Sequence, residues 1–185
     1  MSNNNRPFLD ANALNSTIDA VRDRPELGKV SFNMTSASKG GLVIDTQTGA
    51  LTQNGIADNT RRGKFTLTSD EPLALLGTDK GVSPAEYALQ ALAGCYAVTL
   101  ASLAAKRNIQ LDKLALDLSF DIDLNGFLGI DKSVRKGAQG IRVDVTLDSD
   151  SAKREELEEL VAALATHSPI HDTLANPVPI STRLA

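Results

Sequence analysis

Cysteine is nearly absent from this chain, because its 185 residues include only one, Cys95. A single thiol cannot form a disulfide within the chain, so any redox cycle at Cys95 must finish on another molecule. The scarcity of cysteine also favours a reducing compartment, and we expect a cytoplasmic protein. Function depends on whether this thiol reacts, since a buried free cysteine more often packs as a small hydrophobic residue.

The chain also lacks a clustered basic surface. Its net charge is −4 and its isoelectric point is near 5.2. Phosphate binding needs a basic face, and the run Arg61–Arg62 is too short to form one, so we expect no nucleic-acid partner. The N-terminal sequence MSNNNRPFLDANALNS has neither a charged leader nor an apolar stretch, and we therefore expect no secretory signal.

The longest uncharged stretch, residues 87–105, is about long enough to cross a bilayer. It is dominated by alanine and contains Gln90, Thr99 and Ser102. This composition argues against a membrane span. We expect no membrane partner.

The first half of the chain is expected to hold one short helix and several strands. Leu14, Ile18 and Val21 follow Asp10 at helical spacing, which predicts a capped helix over 9–21 within an N-terminal extension, residues 1–28. Alternating apolar residues from Lys29 and a second run at 42–44, ending in a turn at TQTG (46–49), predict a hairpin. A loop is expected at 54–62 and a strand at 64–69.

The second half alternates helices and strands. Apolar residues at every second position predict strands over 114–124 and 141–147 with one wet face. The spacing after Asp150 predicts an amphipathic helix with a solvated charged face. The segment NPVPISTRL (176–184) is predicted to be a final strand, at a sheet edge because it holds two prolines. The order of elements indicates an α+β fold with antiparallel sheet.

The helical segment from Ser83 to Asn108 contains Cys95 and is apolar nearly all round. A surface helix shows one apolar stripe, so both sides of this one must be covered by protein. Its length of ~35 Å, at ~1.5 Å per residue, exceeds what two short amphipathic elements can enclose. We therefore predict a homodimer in which two such helices pack together.

Several motifs in order resemble the osmotically inducible protein C superfamily, which includes the organic hydroperoxide resistance proteins. They are DEPLALLGTDKGVSPAEYALQALAGCYAVTL, DIDLNGFLG, VRKGAQGIRVDV and HSPIHDTLANPVP. The similarity covers roughly residues 29–185, and the ordered set is specific where one motif alone would be weak. It implies an intertwined homodimer with antiparallel sheets wrapped around long central helices. It also implies thiol peroxidase chemistry, in which a helix cysteine attacks the peroxide and a second cysteine, before a proline, closes a disulfide.

Carried over residue by residue, this chemistry is incomplete in this chain. Cys95 matches the attacking cysteine, whereas Ser168 stands where the resolving cysteine is expected, and serine cannot form a disulfide. In the peroxidases of the family, a glutamate and an arginine also assist the attacking cysteine. The resemblance places the glutamate at Ala85, and the neighbouring Glu86 is about 100° away around a helix. It places the arginine on an early strand, where Lys39, Arg61 and Arg62 are the candidates; Arg62 is preferred.

Structural roles also account for these positions. Ser83, Pro84 and Glu86 form a capping-box pattern, and Ser168 before Pro169 can cap another short helix. Gly94 costs ~1 kcal/mol inside a helix, which indicates close approach of another backbone.

The two histidines are the remaining polar candidates around Cys95, whose own helical face offers no cation. The resemblance places the segment HSPIH beside the helix cysteine, so His171 is a candidate partner of Cys95, as base or as imidazolium. His167 and His171 lack a third partner for a metal. The alternative is that both histidines interact only with solvent and a helix end. We expect no cofactor and no metal.

Two functional hypotheses follow. In the first, the protein acts in the peroxide stress response: Cys95 reduces an organic hydroperoxide, and an external thiol reductant resolves the oxidised cysteine. In the second, the protein is a non-catalytic dimeric module that binds a small apolar molecule at the subunit interface.

Overall fold

The structure is a computed structural model that describes residues 6–184. It contains two compact units: a sheet unit, Asn12–Tyr87, and a helical unit formed by the described residues up to Ala11 and from Ala88 onward. The prediction that residues 1–28 are an extension and residues 29–185 the main domain stays a prediction; residues 1–5 and 185 lie outside the described residues. All but the first residue of the first helix belong to the same compact unit as the strands that follow it.

The sheet unit holds one helix and four antiparallel strands. These are α1 (Ala11–Asp23, whose first residue belongs to the helical unit), β1 (Val30–Gly40), β2 (Val43–Gln53), β3 (Ile56–Asp58) and β4 (Thr66–Ser69), with short 3-10 helices at Pro25–Gly28, Asn59–Arg61 and Leu73–Leu75. Strand β2 is central, because it pairs with β1 along its length, with β3 near its end and with β4 near its start. Leu14, Ile18 and Val21 are half-buried, as expected for one face of α1.

The predicted hairpin is present, but its turn was misplaced. Residues 46–49 (TQTG) lie inside β2 and pair with β1, so the expectation of a turn there was wrong. The chain reverses at Gly40 and Gly41 instead, with φ angles of 102° and 57°. Glycine adopts positive φ without a steric penalty, which makes this pair the natural reversal point.

The loop before the long helix is organised around a buried carboxylate. Asp70 is 1% exposed and accepts four hydrogen bonds: from the backbone N–H groups of Glu71, Thr78 and Lys80 and from the Thr78 hydroxyl. A Cβ on Gly77 would lie 1.6 Å from the carbonyl oxygen of Glu71. The loop therefore closes tightly on Asp70 just before the helix begins.

The helical unit combines a long helix with a hairpin and four shorter helices. Its elements are most of α2 (Pro84–Lys106), β5 (Lys113–Asp121), α3 (Leu124–Phe127), β6 (Gly140–Asp148), α4 (Arg154–Ala162), α5 (Leu164–His167) and α6 (Pro169–Ala175). Strands β5 and β6 pair antiparallel from Lys113 opposite Asp148 to Asp121 opposite Gly140. The alternation of apolar residues predicted the presence of both strands correctly.

The core of the helical unit forms where α2 meets α4, α5 and the apolar face of the hairpin. Leu100 and Leu160 are fully buried. The other core residues are Leu92, Tyr96, Leu103, Ala104, Ile109, Leu111 and Leu164. Alternate residues of β5 and β6 pack against this cluster, because side chains at every second position of a strand share one face.

Two further expectations in this half were wrong. The strand predicted over 114–124 ends at Asp121, because the Asp123 carboxylate accepts a hydrogen bond from the backbone N–H of Asn125 and begins α3. The predicted final strand over 176–184 forms no strand. Pro177 and Pro179 lack N–H donors, so this segment has few groups with which to join a sheet.

Within the single chain, other residues cover only part of the apolar surface of helix α2. Leu92, Tyr96, Thr99, Leu100 and Leu103 are buried, whereas on the opposite face Ala91, Gly94 and Val98 are exposed. By length and composition it is the one helix of the described residues that is long and apolar enough to cross a membrane. The core helix of a soluble protein also meets this criterion.

Candidate functional site

Cys95 lies near the middle of α2 and is a half-buried residue. Two groups donate hydrogen bonds to its sulfur: the Ser168 hydroxyl, with Oγ 3.1 Å from Sγ, and the backbone N–H of Ile170, with N 3.5 Å from Sγ. The structure thus brings together Cys95 and Ser168, the pair expected from the resemblance to thiol peroxidases.

Ser168 reaches the sulfur because it caps α6. Its Oγ accepts a hydrogen bond from the backbone N–H of His171, at 3.3 Å, and Pro169 occupies the first helical position. The predicted cap is therefore present. Ser168 is 2% exposed, and with its oxygen engaged by His171 its hydroxyl proton is left for the sulfur. The same side chain fulfils the structural role and contacts the thiol.

His171 has a different ring partner from the one expected. Its Nδ1 lies 2.6 Å from the Tyr96 hydroxyl oxygen, and the two rings are nearly parallel, 18° apart in orientation, with centroids separated by 6.0 Å. Among residues 6–184, no hydrogen bond joins the His171 imidazole to Cys95. The histidine contributes to the surroundings of the thiol through Tyr96 and through its own backbone N–H.

Tyr96 is the site residue that sequence reasoning missed. It is 6% exposed. Burial raises the pKa of its hydroxyl, and the proximity of a charge on Cys95 raises that pKa further. A signal was available, since a tyrosine inside an apolar helix needs a partner for its hydroxyl.

The three cations proposed to assist Cys95 all belong to the sheet unit, where each has its own partner. Arg62 donates from Nε to the side-chain oxygen of Asn59, at 3.2 Å. Lys39 pairs with Asp45 at 3.6 Å, and Arg61 lies 5.5 Å above the ring centroid of Phe65. The assignment of Arg62 as the assisting cation stays a prediction.

Glu86 takes part in the capping box that its spacing predicted. Its carboxylate accepts a hydrogen bond from the backbone N–H of Ser83, at 2.8 Å, and its own N–H donates to the Ser83 hydroxyl, at 3.2 Å. These two bonds satisfy N–H groups at the start of α2 that have no partner inside the helix. Glu86 therefore has a structural role at the helix terminus.

Gly94, directly before Cys95, was expected to mark the close approach of another backbone. Apart from its own helix backbone and its chain neighbours, a Cβ at this position would meet no atom of the described residues within 4 Å. The approach is therefore not made within this part of the chain, and contact with a second copy stays a prediction.

The arrangement can support nucleophilic chemistry at sulfur. Cys95 is partly exposed, and a cysteine that reaches solvent can attack a small electrophile through its sulfur. No group of three or more His, Cys, Asp or Glu side chains able to hold a metal ion occurs among residues 6–184.

Comparison with known proteins identifies a family. The sequence profile of the OsmC-like proteins matches residues 77–183, a segment of more than half the chain that includes Cys95, Ser168 and His171. No curated protein matches the chain in sequence.

Solved structures with the same fold include proteins from three bacteria. An OsmC-like protein from Mycoplasma pneumoniae has 20% identity and a TM-score of 0.61, over 80% of this chain and 89% of that one. An organic hydroperoxide resistance protein from Legionella pneumophila has 17% identity and a TM-score of 0.55, over 78% and 88%. The organic hydroperoxide resistance protein OhrB of Bacillus subtilis has 18% identity and a TM-score of 0.50, over 80% and 92%. These similarities confirm the α+β fold with antiparallel sheets and a long central helix.

Proposed function

Because the chain belongs to the OsmC-like protein family, we propose that it reduces organic hydroperoxides through Cys95 as its only redox-active residue. The observation that supports this proposal is the pair of hydrogen bonds that the half-buried sulfur of Cys95 accepts from Ser168 and Ile170. Some structures of the same fold are named organic hydroperoxide resistance proteins, which agrees with this substrate class.

The proposed reaction has three steps. The Cys95 thiolate attacks one peroxide oxygen, the O–O bond breaks, sulfur loses two electrons, and the departing alkoxide takes up a proton to become an alcohol. Cys95 is then a sulfenic acid. A thiol from outside the chain attacks that sulfur, forming a mixed disulfide and releasing water. A second equivalent of thiol regenerates Cys95 and leaves as the oxidised disulfide.

The external thiol is required because the position nearest the sulfur is a serine. Ser168 cannot form a disulfide, and no other cysteine occurs in the chain. The Ser168 hydroxyl instead donates a hydrogen bond to the sulfur, which stabilises negative charge there. The protein therefore follows a one-cysteine cycle.

We also propose that the protein is a homodimer. The exposed stripe on α2, comprising Ala91, Gly94 and Val98, offers a surface of small and apolar residues for a second α2. Val98 is 67% exposed in the single chain, and covering it would remove apolar surface from water. Sedimentation at micromolar concentration should give twice the mass of the chain, and a compact monomer would contradict the proposal.

The test of the enzymatic proposal follows Cys95 directly. Purified protein is mixed with cumene hydroperoxide, and free thiol and intact mass are measured over time, with a sulfenic-acid trap present in a parallel sample. We expect stoichiometric loss of the thiol, much faster than for free cysteine, and a trapped adduct. The Cys95→Ser variant should form no adduct, and a thiol in the folded wild-type protein that does not react would refute the proposal.

The alternative is a module that binds a small apolar molecule without chemistry. A cleft of about 440 Å³ at the C-terminal end of α2 favours it, lined largely by Pro7, Phe8, Leu9, Ala101, Ile109 and Leu111. Cys95 is not among the lining residues of this cleft. An unreactive Cys95 in a protein that binds a fluorescent fatty acid would favour this second function.

A further inference from the structure

Two side-chain contacts join the first turn of α6 to neighbouring residues of α2. Ser168 contacts Cys95, and three residues later His171 contacts Tyr96. Residues three apart on a helix lie on one face, and Cys95 and Tyr96 are consecutive on α2. The two contacts therefore fix the same turn of α6 at two adjacent points.

The Tyr96 hydroxyl and Nδ1 of His171 share one hydrogen bond. Burial raises the pKa of the Tyr96 hydroxyl, so the phenol keeps its proton. It donates to Nδ1 or accepts from it according to which ring nitrogen carries the imidazole proton. At 2.6 Å, this is the shortest link between the two helices at the site.

The position of His171 is transmitted to the thiol through Ser168. The backbone N–H of His171 donates to the Ser168 oxygen, and the Ser168 hydroxyl donates to the sulfur. A shift of His171 would therefore alter the direction of the Ser168 hydroxyl and also move the N–H of Ile170, which lies between them in sequence and donates to the same sulfur.

We propose that Tyr96 and His171 are positioning residues for Cys95. The hydrogen bond between their side chains holds the first turn of α6 so that the Ser168 hydroxyl and the Ile170 N–H point at the sulfur. Among the described residues, no hydrogen bond joins either side chain to the Cys95 sulfur; both act through Ser168 and Ile170. This inference deepens the proposed function, because it names the residues that prepare the thiol for the peroxide.

The test measures the reactivity of Cys95 with iodoacetamide, a small electrophile that requires a reactive thiol but no peroxidase activity. Tyr96→Phe and His171→Phe each remove the hydrogen bond and should slow alkylation about five- to tenfold, the size expected when a hydrogen bond that supports charge is misaligned. His171→Asn keeps an acceptor near the place of Nδ1 and should stay within about threefold of the wild type.

A double variant separates positioning from general loosening of the fold. Ser168→Ala alone should slow alkylation about tenfold. Adding Tyr96→Phe should slow it less than about twofold further, because most of the Tyr96 effect passes through Ser168. Tyr87→Phe is the matched control: it also removes a tyrosine hydroxyl from α2, one that donates to the Thr68 carbonyl at 2.9 Å, and it should leave the rate unchanged.

Each outcome decides the proposal. An unchanged rate of alkylation in Tyr96→Phe, in a protein that thermal unfolding shows to be folded, would overturn it. A double variant whose slowing equals the product of the slowing in Tyr96→Phe and in Ser168→Ala would also overturn it. It would be supported by a near wild-type alkylation rate in His171→Asn, together with a Tyr96→Phe effect that largely disappears when Ser168 is already alanine. If Cys95 is alkylated at the expected rates but does not react with cumene hydroperoxide, the proposed function fails and the positioning role stands.

Discussion

Asp70 in the sheet unit and Cys95 in the helical unit are both acceptors on which backbone N–H groups and a hydroxyl converge. Asp70 receives three N–H groups and the Thr78 hydroxyl, whereas Cys95 receives one N–H group and the Ser168 hydroxyl. Asp70 is 1% exposed, whereas Cys95 is half-buried. The same kinds of donor thus surround an acceptor on a buried residue and an acceptor on a partly exposed one.

The consequences differ because of access and because of the chemistry of the acceptor. The hydrogen bond from the Thr78 hydroxyl is the main cause that lowers the pKa of Asp70 to about 2, opposed by burial and assisted by the three N–H groups. Asp70 therefore remains charged and holds its loop together. Cys95 is partly exposed, and in the proposed function the donors around it prepare its sulfur for reaction. Convergent donors alone do not define an active site.

The largest expected effect comes from changing the donor next to Cys95 into a second thiol. In Ser168→Cys, a sulfur replaces the oxygen that lies 3.1 Å from Sγ. Hydroperoxide should then convert the protein to an intrachain disulfide, because the new thiol attacks the sulfenic acid faster than an external thiol can. Intact mass should fall by two hydrogens relative to the reduced variant.

The control for this variant is a cysteine on the same segment that does not face the sulfur. Thr166→Cys places a thiol at an exposed position whose hydroxyl donates to the Ala163 carbonyl. It should form no intrachain disulfide with Cys95 under the same treatment. A sulfenic acid that persists in Ser168→Cys would contradict the geometry of the site.

The next largest effect is expected on stability, at the buried carboxylate of Asp70. Asp70→Asn replaces a charged acceptor with an amide whose NH₂ group faces N–H donors, so the free energy of unfolding should fall. The folded-state pKa of Asp70 lies below its usual 3.8, so its contribution is complete above pH 3.8 and is lost as the pH falls towards 2. The stability difference between wild type and variant should therefore be largest near neutral pH and shrink below about pH 4.

This variant also sharpens the comparison between the two regions. Denaturant unfolding at pH 7 and pH 3 measures its stability, and alkylation of Cys95 measures its effect on the thiol. The rate of alkylation should equal that of the wild type wherever the variant is folded. A slower alkylation of Cys95 in folded Asp70→Asn would show that the two regions are not independent.

The smallest effect is expected at the start of α2. Ser83→Ala removes one bond of the capping box and should lower the free energy of unfolding by about 1 kcal/mol. Glu86→Gln keeps an acceptor for the Ser83 N–H and should cost less. Neither change should alter the oxidation rate of Cys95; a marked slowing in Glu86→Gln would give this carboxylate a role in the chemistry.

Most of the fold could be predicted from local patterns. The alternation in β5 and β6 and the cap before α2 are properties of short segments, so the sequence determined them directly. The turn assigned to residues 46–49 was wrong, because turn-like residues there pair within a long strand, and the two glycines at 40 and 41 reverse the chain. The prediction of a final strand was wrong, because strand formation depends on a neighbouring sheet edge as well as on composition.

The candidate site was predicted in part. Cys95 and Ser168 were expected to meet through the resemblance to a family, and they do. His171 was expected at the sulfur and is found on Tyr96, which no pattern had singled out. Distances between residues about 75 positions apart are set by how two helices pack, and that information is not present in either helix alone.

The sequence by itself determined the chemistry that is available: one thiol, no second cysteine to resolve it, and a serine before a proline in the place of that cysteine. These are properties of composition and order, and no folding can change them. Only the tertiary structure decided which donors face the sulfur, because the α6 turn that carries Ser168, Ile170 and His171 lies far from Cys95 in the chain and meets it through packing. Whether the thiol is prepared for reaction is therefore a property of the folded protein.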